Sequence, residues 1–80
     1  MKCFALINAD LGYETSLGSE IQKISEVSEV HFCLGGYDLI VLVEQESIED
    51  IRDTLHAIRH LKHLRSLVSL IESSEWSYEK

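Results

Sequence analysis

Residues 27–44 read VSEVHFCLGGYDLIVLVE, and this stretch decides the fold. A run rich in β-branched, aromatic and thiol side chains and a second, aliphatic run flank Gly35-Gly36-Tyr37-Asp38, a turn signal of the kind that joins antiparallel strands. The pattern predicts one strand over residues 27–34, a tight turn, and a second strand over residues 39–44, paired as a hairpin. In that second run Leu39, Val41 and Val43 alternate with Ile40 and Leu42, so neither face of the strand is polar.

Upstream, residues 2–8 (KCFALIN) predict another strand of the same character, with Phe4 and Leu6 pointing one way and Cys3, Ala5 and Ile7 the other. Asp10-Leu11-Gly12 then supplies a turn and a helix cap. Tyr13, Leu17, Ile21 and Ile24 recur at helical spacing, with Gly18 a weak point in the helix. Downstream, Ser47 stands three residues before Asp50 as a helix start, and Ile48, Ile51, Leu55 and Ile58 mark a second buried stripe. Residues 64–72 read as a last strand, and residues 73–80 (SSEWSYEK) as a polar tail carrying Trp76 and Tyr78. The order β-α-β-β-α-β is that of an α+β, ferredoxin-like domain with sheet order 4-1-3-2 and both helices on one face. A single domain over residues 1–72 and a tail over 73–80 account for the chain, with no linker, repeat or low-complexity segment.

Two apolar faces and one layer of helices leave a face of the sheet bare. Exposing it costs about 25 cal/mol per Å² and leaves a larger patch than monomers usually carry, so a second copy of the sheet is the expected cover. Eight residues of tail are too few to span it. A domain of 80 residues also buries only about 60–65% of the surface of its unfolded chain, which again favours self-association.

Seven Lys and Arg against fourteen Asp and Glu give a net charge of −7, which opposes contact with nucleic-acid backbones or anionic lipid. Cys3 and Cys33 lack CxxC spacing and read as free thiols; no apolar run is long enough for a signal peptide or membrane helix, so a cytoplasmic protein is expected. His56, His60 and His63 recur at helical spacing beside Glu49 and Asp53, but without an HExxH pattern they read as a solvated stripe, and no metal or other cofactor is expected. No nucleophile, acid–base pair or phosphate-binding glycine loop stands out, so the chain reads as a non-enzyme. An RNA-recognition domain would need aromatics on the third strand, and a heavy-metal carrier would need CxxC after the first.

At the hairpin, Gly35-Gly36-Tyr37-Asp38-Leu39-Ile40 resembles the G-x-[YF]-D turn of the effector-binding (RAM) domain of the leucine-responsive regulatory protein/asparagine regulator (Lrp/AsnC) family. Val27-Ser28-Glu29-Val30 is similar to that family's PEVxEV entry into strand two, and Leu64 to Ile71 to its closing GVxxTxTxIVL strand. The likeness runs over roughly residues 2–72. It implies a dimeric α/β barrel in which two sheets pack face to face, often as a ring of dimers, with an amino acid bound between subunits near the hairpin turn. Carried over residue by residue, the ligand-binding positions are Leu34, Gly35, Gly36, Tyr37 and Asp38, with Ser69 at the second threonine of strand four. Leu34 and Leu67 depart from the pattern, replacing two threonines and removing two hydroxyls from that pocket. Family members carry an N-terminal helix-turn-helix; strand one here begins at residue 2, so a stand-alone sensing domain is expected, free to join DNA-binding relatives. The alternatives are a purely structural assembly module, or a small dimeric α/β-barrel enzyme of mono-oxygenase or isomerase type using His31 and Tyr37 in a pocket between sheet and helices.

Overall fold

The computed structural model describes residues 1–72; the expected tail at 73–80, with Trp76 and Tyr78, lies outside the described residues. The chain runs β1 (Lys2–Ala9), α1 (Glu14–Gln22), β2 (Val27–Phe32), β3 (Leu39–Glu44), α2 (Ile48–Arg59) and β4 (Leu64–Ile71). The strands form one antiparallel sheet ordered β2-β3-β1-β4, the expected order read from the other edge. The shortest dimension is 17 Å, the thickness of one sheet and one layer of helices.

Register sorts the side chains. Cys3, Ala5, Ile7 and Ala9 of β1 and Leu39, Val41 and Val43 of β3 are buried beneath Leu17 and Ile21 of α1 and Ile51, Leu55 and Ile58 of α2. On the opposite side, Phe4 lies between Leu42 and Leu70, and Leu6 between Ile40 and Val68. These six form one continuous apolar face with no element over it among the described residues.

Several local details differ from the sequence reading. β2 ends at Phe32, two residues early, because Cys33 N–H bonds the Asp38 carbonyl at 2.9 Å and closes the ladder there. The connection is therefore a wider loop over residues 33–38, in which Gly35 takes φ +128, a conformation nearly restricted to glycine. Asp10 does not cap α1 with its side chain: the cap position is Tyr13, with no side-chain cap bond, while the Asp10 carbonyl accepts from Tyr13 N–H at 2.9 Å. Tyr13 leaves the buried stripe for the surface. Ile48 is exposed as well, whereas Thr54 is buried, its hydroxyl donating to the Asp50 carbonyl at 3.1 Å. Ser47 caps α2 as expected, accepting from Asp50 N–H at 3.2 Å.

Gly18 is buried, and it is not a weak point. A Cβ built there would stand 2.8 Å from the edge of the Phe32 ring, so the glycine is the notch in α1 that lets β2 lay an aromatic across the helix.

Candidate functional site

Three connections meet at one end of the sheet: the β1–α1 turn, the residue 33–38 loop and the α2–β4 turn. Backbone and side-chain bonds tie them together. Asp38 N–H donates to the Ile7 carbonyl at 2.9 Å, Asp38 Oδ2 accepts from Ala9 N–H at 2.9 Å, and Asp10 N–H donates to the His63 carbonyl at 2.8 Å. Asp38 is thus half-buried and already engaged: one carboxylate oxygen pins the loop to the end of β1, and Oδ1 is left to other partners.

Of the expected ligand-binding residues, Leu34, Gly35, Gly36, Tyr37 and Asp38 are contiguous on this loop. Leu34, Gly35 and Gly36 are exposed, and Tyr37 and Asp38 half-buried. Ser69 is elsewhere. It pairs with Ala5 at the middle of β4, on the helix side of the sheet and at the edge opposite β2, beside Arg52, His56 and Arg59 of α2. One protomer does not bring Ser69 to the loop. Nor does one protomer enclose the loop, whose tip projects into solvent.

The bare face is the second feature of the site. Phe4, between two strands, is 37% exposed, and Val68 and Leu70 on the edge strand β4 are 43% and 54% exposed. His31 and Glu29 of β2 border this face opposite Ile40 and Leu42, and their side chains bond at 2.7 Å. His31 therefore lies beyond the sheet from any cleft under the helices.

Sequence reasoning missed a cluster around His63. α2 ends at Arg59 with His60 as its cap, so His63 is not on the helix, and it takes φ +71. Its ring stacks on Tyr13 with centroids 3.6 Å apart and planes 9° apart, while Nδ1 meets Asp10 Oδ2 at 3.4 Å. A signal was available: no glycine stands between residues 59 and 64, and a helix that turns straight into a strand needs a left-handed residue, for which histidine is among the commoner substitutes. His56 and His60 remain neighbours on α2, the His60 Nδ1 bonded to the His56 carbonyl at 2.8 Å. No three metal-binding side chains converge among the described residues.

Cys3 is fully buried, and burial pushes its thiol above the ordinary value, opposed by a hydrogen bond with the Leu70 backbone. A thiol held protonated is a packing group rather than a nucleophile. No described helix is long and apolar enough to cross a membrane.

Comparison with known proteins agrees with this geometry. The family model described as "Lrp/AsnC ligand binding domain" matches residues 2–80. No curated protein matches the chain. Among solved structures, TTHA0845 from Thermus thermophilus superposes with a TM-score of 0.88 at 26% identity, covering 99% of this chain and 98% of that one. FFRP-DM1 gives 0.85 at 26% identity, over 90% of this chain and 97% of that one. AsnC of E. coli gives 0.85 at 21% identity; 99% of this chain corresponds to 54% of AsnC, a likeness of fold.

Proposed function

The chain belongs to the Lrp/AsnC ligand-binding domain family, and from that premise we propose that it is a non-catalytic effector-sensing domain that pairs with a second copy and binds an amino acid at the residue 33–38 loop. The observation that carries this reading is the loop itself. Gly35 and Gly36 expose their backbone, and beside them Asp38 keeps one carboxylate oxygen unspent, suited to an α-ammonium. Because the loop is open in one protomer, a ligand there needs a neighbouring subunit to enclose it. The bare face of Phe4, Leu6, Ile40, Leu42, Val68 and Leu70 is the means of pairing. Burying a few hundred Å² of it at about 25 cal/mol per Å² stabilises association by on the order of 10 kcal/mol per protomer, before the entropic cost of binding. Ser69 would join the site only from another subunit.

Such a domain reports an amino acid to transcription either by forming mixed oligomers with DNA-binding relatives or by sensing alone. The net charge of −7 argues against its own contact with DNA. Its two free thiols suit a reducing, cytoplasmic setting.

The test is thermal denaturation in the presence of each of the twenty amino acids. Binding to the folded state alone stabilises by about 2.7 kcal/mol at one hundred times Kd, so one or a few amino acids should raise Tm selectively. Asp38→Asn retains an oxygen for Ala9 N–H and removes the charge, so it should abolish that rise with little loss of basal Tm. A flat panel with the protein still oligomeric overturns the sensor reading and leaves an assembly module. That second reading has its own support, in the engagement of Asp38 by Ala9 and in the leucines at positions 34 and 67.

A further inference from the structure

The helix side of the molecule carries an open cleft of about 480 Å³ between α1 and the α2–β4 turn, within the size range of small-ligand sites. It lies across the sheet from the bare face, so pairing of two sheets leaves it accessible. It is also separate from the residue 33–38 loop, none of whose residues lines it.

Its lining is chemically asymmetric. Leu17 and Leu61 supply an apolar floor, and the stacked rings of Tyr13 and His63 supply an aromatic wall. Glu20 is paired with Lys23 at 2.9 Å, and the Ser16 hydroxyl donates to the Tyr13 carbonyl at 3.2 Å. Lys62, like Lys2, Arg52, Arg59 and Arg65, has no carboxylate partner among the described residues, and of these five it alone lines the cleft. The His60 Nδ1 is spent on the His56 carbonyl, and the His63 Nδ1 faces Asp10. The charge left to a ligand is the Lys62 ammonium.

The wall is also built at a cost. A histidine at φ +71 sits in a region that costs a side-chain-bearing residue about 1–2 kcal/mol, and it persists because the surroundings over-determine it. Here the Asp10–His63 backbone bond at 2.8 Å, the Asp10 carboxylate and the Tyr13 ring all hold the residue in place.

We propose that this cleft is a second small-molecule site, selective for a small aromatic carboxylate, whose ring lies over Leu17 and Leu61 against the Tyr13–His63 wall and whose carboxylate pairs with Lys62. This site does not depend on an effector binding at the loop.

Isothermal titration of the full chain with benzoate and with phenylacetate tests it, with acetate and benzyl alcohol as probes lacking the ring or the charge. Both aromatic acids should bind and both controls should bind at least about tenfold more weakly, the scale of a charge-assisted hydrogen bond or a ring's burial. Lys62→Gln should weaken benzoate about tenfold, and Ser16→Trp, which fills the cleft from an exposed helix position, should abolish binding. Asp38→Asn should leave it unchanged. Absence of binding by either aromatic acid overturns the proposal, as does binding that survives both Lys62→Gln and Ser16→Trp. Binding lost in Asp38→Asn alone overturns it too, by placing the ligand at the loop.

Discussion

His63 shows how one residue can be set against its own backbone. Its position asks for glycine, yet its ring supplies the stack on Tyr13 and the bond to Asp10 that glycine cannot. Removing the ring in two ways separates these terms. His63→Ala loses the contacts and keeps the left-handed strain; His63→Gly loses the contacts and relieves it. The glycine variant should therefore melt higher than the alanine variant, by the equivalent of about 1 kcal/mol, the reverse of their usual order. Equal melting temperatures, or the usual order, would show that the strain is absent. Asp38 is the contrasting case. The turn signal made it visible in the sequence, but its bond to Ala9, twenty-nine positions away, was not.

At the scale of elements, the packing of α1 on β2 turns on one missing side chain. Replacing glycine by alanine inside a helix ordinarily stabilises by about 1 kcal/mol. In Gly18→Ala the new Cβ meets the Phe32 ring at 2.8 Å, and the ring, largely exposed, must swing away from the helix. The helix gain should then be cancelled in the native background and recovered when Phe32 is already alanine. A double-mutant cycle by chemical denaturation at fixed protein concentration reads this coupling; additivity within about 0.5 kcal/mol would refute it. The sequence pattern found both elements, with β2 two residues too long, yet misread the glycine, because a propensity scale carries no information about what lies across the helix.

At the scale of the whole molecule, the decisive quantity is the apolar face left bare by a two-layer fold. Phe4 and Leu70 are cross-strand neighbours at its centre, and neither reaches the core beneath the helices. Phe4→Lys should therefore leave the fold intact by circular dichroism while converting an oligomer to a monomer at micromolar concentration in light scattering. If the variant remains oligomeric, this face is not the interface; if the native chain is itself monomeric, the pairing mechanism fails outright.

Continuous apolar runs of strand length in residues 2–8 and 39–44, the helical stripes of 17, 21, 51, 55 and 58, and the Gly-Gly turn determine the element order, and with it the sheet order and the bare face, because each signal is local along the chain. The turn at residues 35–38 was legible for the same reason, while Leu34 was read into the strand before it. Only the tertiary structure decided the rest: that Ser69 lies away from the loop, that Asp38 is shared with Ala9, that Gly18 makes room for Phe32, and that His63 closes a cleft with Tyr13. Each of these is a contact between segments distant in sequence, set by sheet register and by how a helix turns into a strand. No window of neighbouring residues contains it.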